Sequence, residues 1–133
     1  MDLRYLKPKT LLLIRLFLGG TFFAQGFRAI TQQPDFYRLV GESPIFELPF
    51  LSGWLTPGIF LTLVGIFDFT MAALLWAGVA PRKVAFHGFV WISIVIINSL
   101  IIGRIIETVD SMGYLGGLLA IMIWDKDKPS ALG

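Results

Sequence analysis

Cysteine is absent from these 133 residues, which removes disulfides, thiolate metal sites and dithiol redox chemistry together. Histidine occurs once, at His87, close behind Arg82 and Lys83. A single imidazole near a charged segment leaves little to ligate haem or zinc. Charge is scarce as well: Asp, Glu, Lys and Arg make up 15% of the chain against 56% hydrophobic residues. The net charge of +2 is too small and too spread out for a nucleic-acid partner. There is no phosphate-binding loop, no pair of carboxylates in acid/base spacing and no Ser-His-Asp set. No catalytic residue and no metal ligand are therefore assigned.

What is present is apolar sequence in long blocks, with a mean hydropathy of +0.76. A soluble domain of this length needs more polar surface than that, and the blocks have the length of membrane spans. Four are expected: about Leu11–Ile30, Leu55–Ala77, Val84–Ile102 and Val109–Trp124. The last is short unless it borrows from "ETVDSMG", since a crossing takes ~20 residues. Arg15 lies inside the first apolar run, which argues against a cleaved signal peptide. The expected fold is one all-α transmembrane domain over 1–133, an antiparallel four-helix bundle.

Lys and Arg give the orientation. Arg4, Lys7, Lys9, Arg82, Lys83, Lys126 and Lys128 collect on one side. Asp35, Glu42, Glu47, Glu107 and Asp110 collect on the other, with Arg28, Arg38 and Arg104. The positive-inside rule then expects both termini in the cytoplasm. Trp54, Trp76 and Trp124 fall near the expected interfaces, where indole rings settle, while Trp91 lies deeper.

The longest loop, Thr31–Trp54, is not a plain linker. Pro34 suits the first turn of a short helix and Gly41 suits its end. Phe36, Tyr37, Leu39 and Val40 give that helix an apolar face. It reads as an interfacial anchor or, alternatively, a binding lid.

Asp68, near the middle of the second span, is the main anomaly. A carboxylate at that depth costs ~2.5–3.5 kcal/mol on insertion scales and should face protein. Gly58, Gly65 and Ala72 recur on the same helix, with Gly19 and Gly26 on the first span: small-residue stripes on which helices approach closely. Arg15 shares an arc with Gly19 and Gly26. An Arg15–Asp68 pair inside the bundle is therefore expected; the alternative is that Arg15 snorkels and Asp68 stays neutral. Arg28, one turn beyond Gln25, snorkels or meets an anionic or quinone head group. Asn98 reads as interhelical glue, and Gly113 and Gly117 as packing positions on the last span.

These residues resemble the DoxX family of small four-span bacterial membrane proteins. The resemblance rests on Arg15-Leu16 with Gly19 or Gly20, on Gly26-Phe27-Arg28 where the family has Gly-x-Lys, and on Pro34-Asp35-Phe36. It rests also on Gly65-Ile66-Phe67-Asp68, where the family has Gly-x-x-Glu. It implies a bundle of the bacterial inner membrane associated with redox proteins, some relatives being subunits of a thiosulfate:quinone oxidoreductase. Three functions stay open. The first is an accessory subunit of a larger redox membrane complex, without a cofactor of its own. The second is a quinone-binding subunit with its pocket near Arg28, Tyr37 and Trp54. The third is a small transporter using Arg15 and Asp68 as a relay.

Overall fold

The computed structural model describes residues 6–125; Arg4, Lys126 and Lys128 lie outside them. The order is α1 (Leu6–Ile30), α2 (Pro34–Gly41), a 3-10 turn (Pro44–Glu47), α3 (Pro57–Ala77), α4 (Pro81–Ile101) and α5 (Ile105–Trp124). α1, α3, α4 and α5 are long and apolar enough to cross a membrane. They run alternately up and down, so both ends of the described chain lie at one end of the bundle. α2 and the 3-10 turn cover the other end.

Local chemistry sets the helix limits. Pro57 occupies the first turn of α3, and the Thr56 hydroxyl accepts a hydrogen bond from the Ile59 N–H at 3.2 Å. Gly78, at φ 68°, closes α3 in the left-handed conformation that glycine adopts without strain. α4 starts at Pro81, ahead of the expected Val84, because Pro81 takes its first turn and carries Arg82 and Lys83 into the helix. α5 starts at Ile105 rather than Val109 and reaches 20 residues. Its extra turn holds polar residues that satisfy themselves: the Thr108 and Ser111 hydroxyls donate to the carbonyls of Arg104 and Glu107 at 2.9 and 2.8 Å.

The four long helices form two intimate pairs, α1 with α3 and α4 with α5, with fewer contacts between the pairs. Small residues set the first pair. A Cβ built on Gly26 would lie 3.1 Å from the Gly65 carbonyl oxygen, and one on Gly65 would lie 3.1 Å from the Gly26 carbonyl. The two backbones touch at that crossing. Toward the termini, the pairs meet through Leu18, Phe22, Met71, Leu75, Ala85, Leu118 and Ile121. Gly88 and Gly117 leave room there for Met71 and Leu18. Toward α2 the core shrinks to Ala29, Leu61 and Val64, and the pairs part. The outer faces carry Phe17, Leu63, Ile66, Val90, Ile97 and Ile106, all exposed and suited to lipid.

Arg15 does not meet Asp68. Its guanidinium lies against Gly78 at the end of α3 and pairs with Asp125 at 3.6 Å. Register is the reason. Asp68 packs level with Gly26, eleven residues up α1 from Arg15, and at 1.5 Å per residue that is ~17 Å, beyond an arginine's reach. The helical-wheel direction of Arg15 says nothing about this axial offset.

Candidate functional site

Where the pairs part, they enclose a cavity of about 290 Å³ at the α2 end, lined by all five α-helices and the 3-10 turn. Its walls are largely aromatic and aliphatic: Phe22, Phe36, Phe46, Phe60, Leu61, Val64, Trp91 and Ile92. Phe46 meets Phe60 edge-on at 5.5 Å between ring centroids, and Trp91 packs 5.7 Å from Phe67 and 6.3 Å from Phe60. Polar groups from several helices point to the same space. Thr21, Gln25, Asp68 and Tyr114 line its deeper part, Asn98, Ser99 and Ser111 its upper part, and Arg28, Asp35, Arg104, Glu107 and Asp110 its mouth. These spans carry few polar residues, so their convergence on one cavity is the main chemical feature of the bundle.

Most of these groups have partners in the protein. Thr21 donates to the Phe17 carbonyl at 3.1 Å. Arg28 is held by Gln33 at 3.2 Å and Gln25 at 3.4 Å, and its guanidinium lies 5.2 Å from the centre of the Phe36 ring. Two do not. Oδ1 of Asp68 and Oγ of Ser99 are buried without a hydrogen-bond partner, in residues only 2% and 1% exposed. A buried polar atom left unpaired costs about 1–3 kcal/mol, so these two atoms mark where the cavity offers chemistry to an occupant.

α2 lies across the mouth. Its underside contributes Phe36, Leu39 and Val40, and it has no buried residue of its own. Two polar contacts bind this segment to the far helix pair. The Ser43 hydroxyl donates to Oδ1 of Asn98 at 2.6 Å. Arg104 bridges Glu42 at 3.1 Å and Glu107 at 3.3 Å, and Arg38 approaches Glu42 at 3.4 Å. The hydrogen bond from Arg104, aided by the charges of Arg104 and Arg38, holds the Glu42 carboxyl below the ordinary glutamate range. The same contact pushes Arg104 up.

The residues singled out from sequence divide. Arg28 and Asp68 line the cavity. Tyr37 and Trp54 do not: both are exposed, and the Trp54 indole donates to the Phe50 carbonyl at 2.9 Å. The three residues expected to form one pocket are thus not brought together, because Tyr37 sits on the outer face of α2 and Trp54 precedes α3. Gly19 faces Trp76, Ala72 is buried, and Gly117 packs against Leu18 inside the bundle. Gly113 faces open space, with no atom within 4 Å of a Cβ built there. Ser99, Thr21, Tyr114 and Arg104 were missed as cavity residues. Their signal was faint: each is a hydroxyl or charge without a motif, and only the pairing of helices brings them together. Among the described residues, no three His, Asp or Glu side chains gather as a metal site.

The family model for DoxX matches residues 10–104, from the first turns of α1 to the end of α4. Searches among curated proteins and among solved structures gave no match.

Proposed function

The chain belongs to the DoxX family, and on that premise we propose that it is an accessory subunit of the bacterial inner membrane that holds a small amphipathic molecule of quinone type for a larger redox complex. The observation that carries this reading is the cavity between the helix pairs. Its volume of about 290 Å³ sits at the small end of small-molecule sites, ~300–1,000 Å³, which is room for a ring-sized head group. Aromatic walls with a few inward polar atoms suit the head group of a lipophilic carrier. Its tail would leave through the gap between the pairs.

Both termini are assigned to the cytoplasm. Lys7, Lys9, Arg82 and Lys83 stand at the termini end, while Asp35, Glu42, Glu47, Glu107 and Asp110 stand at the α2 end. The cavity then opens on the outer side of the membrane. The accessory role draws on the chain having no cysteine and one histidine, which leaves the electron-carrying chemistry to a partner. The broad apolar outer faces give a partner surface to pack on, where close fit matters more than hydrophobicity. The test is extraction in native-lipid discs, followed by mass spectrometry of proteins and small molecules in the peak. A larger redox protein and a ring-bearing lipophile in the same peak support the reading. A chain that elutes alone, with ordinary phospholipid as its sole companion, refutes it.

A further inference from the structure

The unpaired oxygen of Asp68 says more about the ligand than the cavity's size does. Asp68 lies eleven residues from the outer start of α3, which at 1.5 Å per residue is ~17 Å below it. The Gly26–Gly65 crossing fixes its backbone, since the Asp68 Cβ lies 3.2 Å from a Cβ built on Gly26. Phe22, Phe60 and Trp91 line the same cavity. We propose that this cavity selects a ligand whose head is an aromatic ring bearing a hydroxyl, and that the hydroxyl donates its hydrogen bond to Oδ1 of Asp68. The inference rests on the cavity being a ligand site, and it assigns the chemistry of that ligand's buried end.

The selection asks that Asp68 act as an acceptor alone, as a carboxylate, because a carboxyl that also donates would satisfy an ether or carbonyl head equally well. A carboxyl group keeps an acceptor oxygen whether or not it carries a proton, so a ring hydroxyl is satisfied in either case. A head with carbonyl oxygens alone is satisfied just when the carboxyl supplies the proton. A ring fits because the walls are aromatic and the space is large enough for a ring-sized head. A hydroxyl is favoured over an ammonium because an ammonium is costlier to dehydrate at this depth; the mouth does not decide between them, since Arg28 and Arg104 stand there beside Asp35, Glu107 and Asp110. Thr21, Gln25 and Tyr114 line the same cavity and are uncharged hydrogen-bonding side chains that tolerate an uncharged polar head.

The test uses the full chain in lipid nanodiscs with three radiolabelled probes of equal tail length: 4-hexylphenol, its methyl ether and 4-hexylbenzylammonium. Binding is corrected for partition into empty discs. The phenol should bind one per chain, about tenfold tighter than the ether, the ratio a single buried hydrogen bond gives. Asp68→Asn, which offers both a donor and an acceptor, should bring that ratio close to one. Equal binding of phenol and ether by the unmodified chain overturns the hydroxyl assignment and leaves the cavity as a ligand site. A ratio that survives in Asp68→Asn overturns the role of Asp68. The ammonium binding tightest overturns the choice of a neutral head. If none of the three binds above the empty-disc level, the ligand site itself is refuted. The comparison in the unmodified chain needs no variant, so it stands even if Asp68→Asn fails to fold.

Discussion

Replacing Gly65 tests the packing that positions the cavity. A Cβ at position 65 collides with the Ile30 side chain and lies 3.1 Å from the Gly26 carbonyl oxygen. The first contact is soft, because Ile30 is partly exposed and can turn away. The second is backbone against backbone and can be relieved just by moving α1 off α3. Gly65→Ala therefore parts the helices by a few tenths of an ångström, and Gly65→Val by more. Overpacking of this kind costs about 1–3 kcal/mol, with Val toward the upper end. Equilibrium denaturation in mild detergent, followed by far-ultraviolet circular dichroism, measures it. Gly113→Ala is the control: it sits in helix α5 with no atom within 4 Å of the new Cβ. It should be neutral or stabilising by about 0.5–1 kcal/mol through helix propensity. Ile30→Ala combined with Gly65→Ala should recover little, because the backbone contact remains. Gly65→Val as stable as the unmodified chain would refute the close crossing.

In a double-mutant cycle, Arg15→Leu and Asp125→Ala should couple by about 1 kcal/mol, the pair being partly exposed. Arg15→Leu and Asp68→Asn should be additive, and a coupling above ~1 kcal/mol there would restore the pair expected from sequence. The Glu42–Arg104 contact should depend on pH in a defined sense. The Glu42 carboxyl is held below its ordinary range, so its contribution is present above the unfolded glutamate pKa and is lost as pH falls through the lower folded value. Spin labels at positions 39 and 100 should report α2 anchored at pH 7 and more mobile in acid, with Glu42→Gln mobile throughout; a Glu42→Gln trace matching the unmodified chain at pH 7 would count against anchoring by the Glu42–Arg104 contact. Finally, Glu47→Cys should be labelled by an impermeant maleimide from outside intact cells, the chain having no native cysteine; labelling from the cytoplasmic side alone reverses the assigned orientation.

Four spans and the helix on Pro34–Gly41 were legible because their signals are local. Twenty apolar residues make a span, and a proline before an apolar face and a glycine after it mark a short helix. The early start of α5 was less visible, since Glu107 and Asp110 resemble loop residues until Thr108 and Ser111 are seen to bond within the helix. Asp68 stood out because a charge in an apolar run is costly anywhere. Its relation to Arg15 did not follow. Periodicity gives the direction of a side chain around its helix, and the offset of one helix along another depends on where the glycines meet. The same limit hid Ser99 and the contact of Ser43 with Asn98: the two residues are 55 positions apart and no spacing rule joins them.

The central claim is that the space between the helix pairs holds a small molecule. Native mass spectrometry of the chain released from lipid discs tests it most directly, comparing the unmodified protein with Val95→Trp, which fills the cavity from α4. The unmodified chain should carry one non-phospholipid adduct, and Val95→Trp should lose it while keeping its helical content. The same adduct pattern in both proteins, or no adduct in either, would contradict the account.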